Sequence, residues 1–437
     1  MSTTVTKSRR SLALLLAVLG STAAHAGDLQ QRIEAVMPKV VAWRRDIHQH
    51  PELSNREVRT AKLVADHLQA LGFEVKTGVA HTGVVGVLRG GENGRVVALR
   101  ADMDALPVTE EVDLPFKSTV RTTFGDKEVG VMHACGHDNH TAILMGVAEV
   151  LAGMRDELPG TVKLVFQPAE EGAPPGEKGG AKMMIAEGVL EDPKPEAVFG
   201  LHVWPEKLGA IATRAGPMMA ASDQFAIVVK GKQTHGALPW GGIDPIVVGS
   251  QIVLALQGIP SRQLDATKGP AILTVGSIHG GNRWNIIPET VTLEGTLRTF
   301  DEGVRKDAKE RIVRTAERIA ESAGATASVT FPGVKNPVTA NEADLFERMR
   351  ATLERAAGKP LVTPPLVPVS EDFAEYQQRI PGVFFFLGVT PVDQDPATAP
   401  RNHSPRFFAD EAALPVGVRA MTMLAIDFLR ERSGDRP

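Results

Sequence analysis

The order of strand-like and helix-like segments constrains the fold most, because it changes once along the chain and then returns. Up to about residue 220, apolar strands such as GVVGVLRG and RVVALRAD alternate with helical patterns, which is typical of an α/β sheet covered by helices on both faces. From 221 to 332 the order is β-α-β-β-α-β, which forms a ferredoxin-like α+β domain by itself. The alternation of strands and helices then resumes after residue 332, so the small domain is predicted to be an insertion into the larger one.

Two domains also fit a chain of 437 residues, which exceeds what one hydrophobic core usually needs. We predict a larger domain from residues 27–215 and 333–437, and an inserted domain from residues 216–332. The spacing of apolar residues predicts helices in the larger domain over 29–49, 55–71, 343–357 and 410–432. The apolar run GVFFFLGV predicts a strand between the last two of these helices.

The first 26 residues are predicted to be a secretory signal peptide. A basic start ending at Arg10 precedes the apolar run SLALLLAVLG, and the segment STAAHA then ends at Ala26 in an A-x-A cleavage pattern. The alternative, an uncleaved anchor helix, needs about 20 apolar residues, which this run does not provide. The mature protein is therefore expected in the periplasm or outside the cell, and no later segment is expected to cross a membrane.

Net charge and aromatic content argue against some classes of partner, and the cysteine count excludes a disulfide within the chain. The formal net charge is −4 and aromatic residues make up 5% of the chain, so neither nucleic acid nor an anionic membrane surface is expected as a partner. Cys135 is the single cysteine, and so no intrachain disulfide can form. An unpaired thiol in an oxidising compartment is a liability unless it is buried or coordinated, which directs attention to its neighbours.

The segment HACGHDNH, residues 133–140, concentrates side chains that bind metals. Cys135 and His137 lie two positions apart, and a thiolate and an imidazole are both good ligands for a borderline-soft ion such as zinc. Asp102 and Asp104 end the strand VVALRADMD, and carboxylates two positions apart point to the same side of a strand. Read alone, the two aspartates would fit helix caps or turn formers as well.

Further candidates lie at other strand ends and in loops. Glu170 and Glu171 in QPAEEG follow a strand directly. Two adjacent carboxylates repel each other unless a cation or a proton neutralises part of their negative charge. One of them can therefore bind metal while the other transfers protons. His202 in GLHVWP ends a strand, and His403 in RNHSPRF precedes the last helix. Each segment alone would fit a structural histidine or an exposed acidic turn, but together they predict a site at the ends of sheet strands.

The chain resembles the aminoacylase/carboxypeptidase superfamily of dinuclear metallohydrolases in the ordered segments RADMDALP, HACGHDNHTAIL, QPAEEG, GLHVWP, THGALP, GGNRWNIIPE, SEDF and HSPRF. The Cys-Gly-His form of the metal motif is similar to the branch of hippurate hydrolases and auxin-conjugate (indole-acetyl-amino-acid) hydrolases. The resemblance covers the whole mature chain. It implies a zinc-peptidase-like catalytic domain with a mixed sheet flanked by helices, and an inserted ferredoxin-like domain that serves as a lid and a dimerisation surface.

The resemblance also implies roles for individual residues. Two divalent metal ions per subunit are expected, with zinc favoured and manganese, cobalt or nickel as alternatives. The metal ligands would be Cys135, His137, Glu171, His202 and His403. Glu170 would be the general base and acid, and Asp102 and Asp104 would not touch the metal ions themselves but would orient His137 by hydrogen bonding.

On the inserted domain, the resemblance implies residues that bind substrate. His235 would reach the active site of the partner subunit in a homodimer, and Asn285 and Arg298 would bind the carboxylate and amide of the substrate. An arginine suits a carboxylate because its fork can contact both oxygens. One departure is in LPWGGIDP, where relatives often have a histidine after the proline and this chain has Trp240, which would make the mouth of the pocket more apolar.

These patterns predict a metal-dependent amidohydrolase that cleaves the amide bond of N-acyl or N-aroyl amino acids with a metal-activated water. Glu170 would accept the water proton and pass it to the leaving amine, while His235 would stabilise the oxyanion. Two alternatives stay open: a dipeptidase or carboxypeptidase with the same machinery, and a periplasmic metal- or solute-binding protein. The latter explains the export signal and the two domains, but not Glu170 beside Glu171.

Overall fold

The computed structural model describes residues 5–91, 94–333 and 335–431, with side chains from residue 27 onward. The predicted signal peptide lies outside the residues whose side chains are described, so the export signal stays a prediction. The first part of the chain forms α1 (Val5–Gln49), α2 (Val58–Ala70), β1 (Glu74–Val79), β2 (Gly83–Arg89), β3 (Val96–Asp102), β4 (Arg121–Phe124), β5 (Lys127–Gly130), α3 (His137–Ala152), β6 (Thr161–Gln167), α4 (Gly180–Ala186), β7 (Ala197–Lys207) and β8 (Ile211–Ala212).

The middle of the chain forms the β-α-β-β-α-β unit that the sequence predicts, with two short extra strand pairs. Its elements are β9 (Gly216–Met219), β10 (Ala221–Lys230), β11 (Thr234–His235), α5 (Pro245–Arg262), β12 (Ile272–Gly280), β13 (Ile286–Ile287), β14 (Thr290–Thr299), α6 (Glu302–Ser322) and β15 (Thr326–Thr330). The chain ends with β16 (Thr339–Asn341), α7 (Ala343–Ala357), α8 (Ala374–Gln377), β17 (Gly382–Thr390) and α9 (Leu414–Arg430).

The large sheet is mixed and has the strand order β1-β2-β6-β3-β7-β17-β8. Strands β6, β3 and β7 run parallel to one another, whereas β1, β2 and β6 pair antiparallel. Every residue of β3 and β17 is buried, and since side chains alternate between the two faces of a strand, both faces of the sheet are covered there. Helices α3 and α9 pack against β3 and β7, and α2 packs against β1 and β2. The predicted α/β class with a mixed sheet is confirmed.

The smaller sheet is antiparallel, with the order β12-β14-β10-β15. On β10, the buried side chains Phe225, Ile227 and Val229 alternate with more exposed ones, and helices α5 and α6 pack on the buried face. Asp244 and Asp301 begin these two helices by accepting backbone N–H groups of the first turn. This is the ferredoxin-like arrangement expected from the order of elements.

By internal contacts the chain divides into two compact units. The first comprises the residues up to Ala212 together with Arg348–Val362 and those from Phe385 onward, and the second comprises Thr213–Glu347 and Thr363–Phe384. The second unit thus includes segments after residue 332 that the sequence analysis placed in the larger domain. The reason is local pairing, because β16 pairs with β9 and the Asn341 amide bonds the Phe384 backbone. The roles of the two units as catalytic domain and lid stay predictions.

Further differences from the sequence-based expectation concern a hairpin, the end of a strand and the last helix. The hairpin β4–β5 was not predicted, because its strands are short and largely exposed and carry no apolar alternation. Strand β7 does not end at His202 but continues to Lys207. The helix Glu411–Arg430 is long and apolar enough to cross a membrane, contrary to expectation, but 67% of its most apolar window is buried, and it packs against α1 and α3 as a core helix does.

Candidate metal centre

The predicted site residues of the first unit converge where the three parallel strands of the large sheet end. Strand β3 ends at Asp102, and β6 ends just before the turn that carries Glu170 and Glu171. The third strand, β7, carries His202. Neighbouring parallel strands bring their carboxyl ends to one edge of a sheet, which is where α/β proteins place their sites.

The metal motif itself forms a tight turn into helix α3. His137 is the first residue of α3, and Gly136 caps it in the left-handed conformation with φ of 92°. A Cβ at Gly136 would lie 2.3 Å from Val203 Cγ2, so only glycine fits this turn. The turn therefore places Cys135 and His137 beside the end of β7.

The structure brings together all five residues that the resemblance assigns as metal ligands. Cys135 Sγ lies 3.3 Å from His202 Nε2, and His403 Nε2 lies 3.1 Å from Glu171 Oε1. His137 Nε2 lies 4.0 Å from the same Glu171 oxygen. Donor atoms within 4.8 Å of one another form the overlapping groups Cys135–His137–His202, Cys135–Glu171–His403 and His137–Glu170–Glu171. Two adjacent cation sites that share ligands fit this pattern.

The chemistry of these side chains fits divalent cations. His137 Nε2 is buried and makes no hydrogen bond within the described part of the chain. Burial, together with the Glu171 and Glu170 carboxylates, raises the pKa of the Cys135 thiol well above its ordinary value, whereas burial lowers the pKa of His202. A cation would relieve the charge repulsion on a Cys135 thiolate and take the neutral His202 imidazole as a ligand.

Asp104 is the hydrogen-bonding centre beneath this cluster. Its carboxylate contacts His137 Nδ1 at 3.2 Å and accepts the Ser54 hydroxyl at 2.7 Å. It also accepts the backbone N–H groups of Glu170 at 3.1 Å and Glu171 at 3.0 Å. One buried carboxylate therefore orients a predicted ligand and fixes the turn that carries both glutamates.

Asp102 makes different contacts from those that the resemblance implies, because it bonds His140 and not His137. Asp102 Oδ1 lies 2.5 Å from His140 Nδ1, whereas Asp102 Oδ2 accepts Arg100 and stays 3.8 Å from His137 Nε2. His140 Nε2 in turn accepts the Val203 N–H at 2.8 Å. Both nitrogens of His140 are thus engaged, which leaves none for a metal ion.

Two positioning residues were missed by the sequence analysis. The Asn402 amide donates to the Cys135 carbonyl at 3.0 Å and to the Val203 carbonyl at 3.2 Å, and so joins three segments that carry predicted ligands. Glu57 is fully buried and accepts the N–H of Ala169 at 2.9 Å. Ala169 precedes Glu170 and has a φ of 52°, so Glu57 supports a backbone conformation that alanine rarely adopts. The only signal in the sequence is that Asn402 adjoins His403.

Two other residues of the HACGHDNH segment belong to a separate buried cluster. Asp138 accepts His48 Nδ1 at 2.8 Å and lies 3.0 Å from Arg44 Nε. Burial lowers the pKa of His133, 6.5 Å from His48 between ring centres, to about 3, so this imidazole stays neutral. This cluster anchors α1 to the metal-binding turn.

The three residues predicted on the inserted domain lie in the second unit. His235 is exposed and ends β11, which pairs with β13, and the next residue, Gly236, donates its N–H to the Asn285 carbonyl at 2.8 Å. Arg298 is half-buried on β14, donates to Ser222 Oγ and lines a pocket of about 450 Å³ on the open face of the small sheet. His235 and Asn285 therefore lie close together, and Arg298 lies elsewhere in the same unit.

Comparisons with known proteins identify the family of the chain. The profile described as Peptidase family M20/M25/M40 matches residues 98–427. The chain is 42% identical to Thermostable carboxypeptidase 1 from Saccharolobus solfataricus, over 92% of this chain and 99% of that protein. It is 40% identical to IAA-amino acid hydrolase ILR1-like 4 from Arabidopsis thaliana, over 90% of this chain and 86% of that protein.

A solved structure supports the same family and fold. A Bacillus subtilis protein, described as a dinuclear metal-binding peptidase from the M20 family, superposes with a TM-score of 0.75 and 36% identity. The match covers 91% of this chain and 99% of that one. Similarity over nearly the full length of both chains includes both units.

Proposed function

The chain belongs to peptidase family M20/M25/M40 and is a metal-dependent hydrolase of amide bonds, and from this premise we propose that its substrates are N-acyl or N-aroyl amino acids. The observation that carries the proposal is the turn in which Glu170 and Glu171 stand side by side beside the predicted ligands, held by Asp104. Such a pair allows one carboxylate to bind metal while the other moves protons.

The proposed ligands of two divalent ions are Cys135, His137, Glu171, His202 and His403. When bound, the metal ions supply Lewis-acid activation of water and of the amide carbonyl. The thiolate and imidazole donors favour zinc, and manganese, cobalt or nickel are the alternatives. Asp104 fixes the orientation of His137, which is how outer hydrogen bonds usually tune a metal ligand.

In the proposed mechanism Glu170 accepts a proton from the attacking water as the amide carbonyl becomes tetrahedral. The same carboxyl then donates that proton to the departing amide nitrogen, so that a neutral amine leaves. His235 would donate a hydrogen bond to the developing oxyanion, and Asn285 and Arg298 would hold the amide and carboxylate of the substrate. The products are a carboxylic acid and a free amino acid.

A dipeptidase or carboxypeptidase activity is the second candidate. The name of the Saccharolobus relative favours it, and the same machinery would serve, because a peptide bond is also an amide. The third reading, a metal- or solute-binding protein without catalysis, is set aside because the family is one of hydrolases.

A substrate panel on the metal-loaded mature protein tests the proposal. We expect faster hydrolysis of N-acyl amino acids such as N-benzoylglycine than of dipeptides, and preferred turnover of dipeptides would favour the second candidate. Glu170→Gln should retain bound metal and lose about 10²–10⁴-fold in turnover, because it removes the proton-transferring group. Glu310→Gln, on the exposed surface of α6, is the matched control and should leave turnover unchanged. Near-normal turnover of Glu170→Gln would show that its role is assigned wrongly.

We further propose that the mature protein is exported and acts as a homodimer through the inserted domain. The export rests on the signal-like residues 1–26. The dimer is supported by β12, which lies at an edge of the small sheet and exposes 41% of Ile272 and 48% of Ile278. Leu254 on the neighbouring helix α5 is 76% exposed. An apolar edge of this kind is usually covered by a partner strand.

A further inference from the structure

A pocket of about 400 Å³ adjoins Glu171, and we propose that it binds the acyl group of the substrate, preferring aromatic or long acyl groups to acetyl. The inference rests on the proposed hydrolysis of N-acyl amino acids. Three walls enclose the pocket: the turn of the hairpin β4–β5, the pair of segments around Leu53 and Leu106, and the loop Gly172–Pro175 that follows Glu171. All of these residues belong to the first unit.

The lining of the pocket is chemically suited to an uncharged, apolar group. Its side chains are mostly apolar and include Leu53, Leu106, Phe124 and Pro174. Arg56 is the cationic side chain in the lining, and its guanidinium already donates charge-assisted hydrogen bonds to the Glu177 carboxylate at 2.5 and 3.1 Å. Among the lining residues of this described pocket, no other Lys or Arg is present to receive a carboxylate.

This charge pattern decides which end of the substrate the pocket takes. In an N-acyl amino acid, the side chain and the carboxylate are attached to the same carbon atom, so they must bind near each other. The side chains of the pocket offer no available cation, and the proposed divalent ions would be engaged by the water and the amide carbonyl. The pocket is therefore a poor place for that carboxylate, since burying an unpaired charge is costly. The acyl group carries no charge and lies on the other side of the amide bond, so it is the part that fits.

The size of the pocket points to a large acyl group. Pockets that bind small molecules usually measure about 300–1,000 Å³. The volume of this pocket, about 400 Å³, falls within that range although only the acyl part of the substrate would occupy it. An acetyl group has only two carbon atoms and would leave most of the apolar lining in contact with water. A benzoyl or comparable group would bury much more apolar surface, at roughly 25 cal/mol per Å².

The pocket is largely pre-formed, because hydrogen bonds fix its walls. Leu106 exchanges backbone hydrogen bonds of 3.0 Å with Met132, just before the metal-binding turn. On the other side, Asn55 donates to Glu177 and to the Lys178 carbonyl, both at 3.0 Å, and so holds the loop after Glu171. The hairpin contributes Phe124, which is 46% exposed and therefore free to cover a ligand.

The experiment compares substrates that share one amino acid and differ only in the acyl group. For N-benzoylglycine, Phe124→Ala and Leu106→Ala should each lower kcat/KM about tenfold, the lower end of the roughly 10–200-fold range for an apolar contact. For N-acetylglycine, both variants should stay within about twofold of the wild type. Lys127→Ala is the matched control, because it faces Phe124 in the hairpin register and does not line the pocket. Circular dichroism and metal content should be unchanged in all three variants.

A binding measurement separates the pocket from catalysis. In the Glu170→Gln background, calorimetry with N-benzoylglycine should show a Kd about tenfold weaker after Phe124→Ala, with little change for N-acetylglycine. Equal losses for both acyl groups, or a changed preference for the amino acid when benzoyl is kept, would overturn the pocket assignment while leaving the proposed function intact. If the wild type hydrolyses neither N-acyl glycine but does hydrolyse dipeptides, the proposed function fails and this inference fails with it.

Discussion

At the scale of single residues, Cys135 is unusual because a lone thiol is buried among carboxylates. Burial and the charge of those carboxylates raise the pKa of the thiol, so without a cation the group stays a neutral thiol. With a cation bound, the sulfur becomes a thiolate whose lone pairs are occupied. The state of this one side chain therefore reports on whether the centre holds metal.

We expect metal-loaded native protein to react with a thiol reagent at least tenfold more slowly than the same protein after chelation. Coordination occupies the sulfur, whereas chelation frees it and lets the surrounding loops open. The rate is measured by the absorbance of the released reagent, with fully unfolded protein as the upper limit. Equal rates before and after chelation would mean that Cys135 is not a ligand.

Asn402 supplies the next prediction at this scale. Asn402→Ala should weaken metal affinity about 10–100-fold, because removal of supporting hydrogen bonds around a metal site typically has this effect. The amide holds the backbone carbonyls of Cys135 and Val203, so its loss lets two ligand segments move apart. Affinity is measured by competition with a coloured chelator.

The neighbouring exposed residue provides the control for this change. Arg401→Ala alters the same loop without touching the amide contacts and should keep wild-type affinity. An Asn402→Ala protein that binds metal as tightly as Arg401→Ala would contradict the proposed positioning role.

The contrast between ligands and positioning residues shows what a sequence can reveal about the site. Cys135, His137 and Glu171 were proposed because their side-chain chemistry is concentrated in short motifs. Asn402 acts on backbone carbonyls 267 and 199 positions away, and such contacts leave no local pattern. Glu57 likewise contacts Ala169, 112 positions away. Residues of this kind become visible only when the fold brings the segments together.

At the scale of elements, the turn from Cys135 into α3 depends on Gly136. Gly136→Ala should destabilise the protein by about 2–4 kcal/mol and lower its metal content. The positive φ of 92° disfavours any side chain, and the new Cβ would meet Val203 Cγ2 at 2.3 Å. Urea denaturation and metal analysis measure the two effects.

A second glycine-to-alanine change controls for the general cost of substitution. Gly258→Ala lies within α5, where no atom of the described residues is within 4 Å of the added Cβ, and alanine should be tolerated there. If Gly136→Ala proved as stable and as well metallated as Gly258→Ala, the turn would not need glycine.

Elements were predictable from the sequence where a segment packs at least one face into a core, and not where it lies largely at the surface. Strands β3 and β17 are buried throughout and contain the apolar runs VVAL and VFFFLGV, and both were expected. Strand β10 was also expected, and its residues alternate between buried and more exposed positions. The hairpin β4–β5 escaped prediction because seven of its eight strand residues lie on or near the surface. Its strands contribute almost nothing to a core, so their side chains carry no apolar periodicity.

At the scale of the whole molecule, the second unit has a buried charge network that links its stability to pH. Asp223 is buried and bonds Arg305 at 2.6 and 3.1 Å and Lys309 at 3.0 Å. Burial raises the pKa of Asp223, but the two cations outweigh this and hold it below its ordinary value. The stabilisation is therefore present above the unfolded pKa of about 3.9 and is lost as pH falls through the lower folded pKa.

Asp223→Asn should destabilise the protein by about 3 kcal/mol at pH 7, because it leaves two cations without their buried partner. It should also flatten the loss of stability that the wild type shows below about pH 4. Urea denaturation from pH 7 down to pH 3 measures both effects. The control is Asp307→Asn, whose carboxylate is 44% exposed and pairs with Arg311 on the helix surface; it should cost less than about 1 kcal/mol. Equal costs for the two variants would contradict the argument.

The proposed assembly is tested by mixing two inactive proteins. If His235 serves the active site of the other subunit, a mixed dimer of His235→Ala and Glu170→Gln has one site in which both groups are intact, since both defects then fall together in the other site. Random subunit exchange should then restore about a quarter of wild-type activity, because half of the dimers are mixed and one of their two sites works. Exchange is verified by fluorescence transfer between labelled subunits, and mixing each variant with itself is the control. No recovery despite proven exchange would place His235 in the site of its own subunit or outside any site.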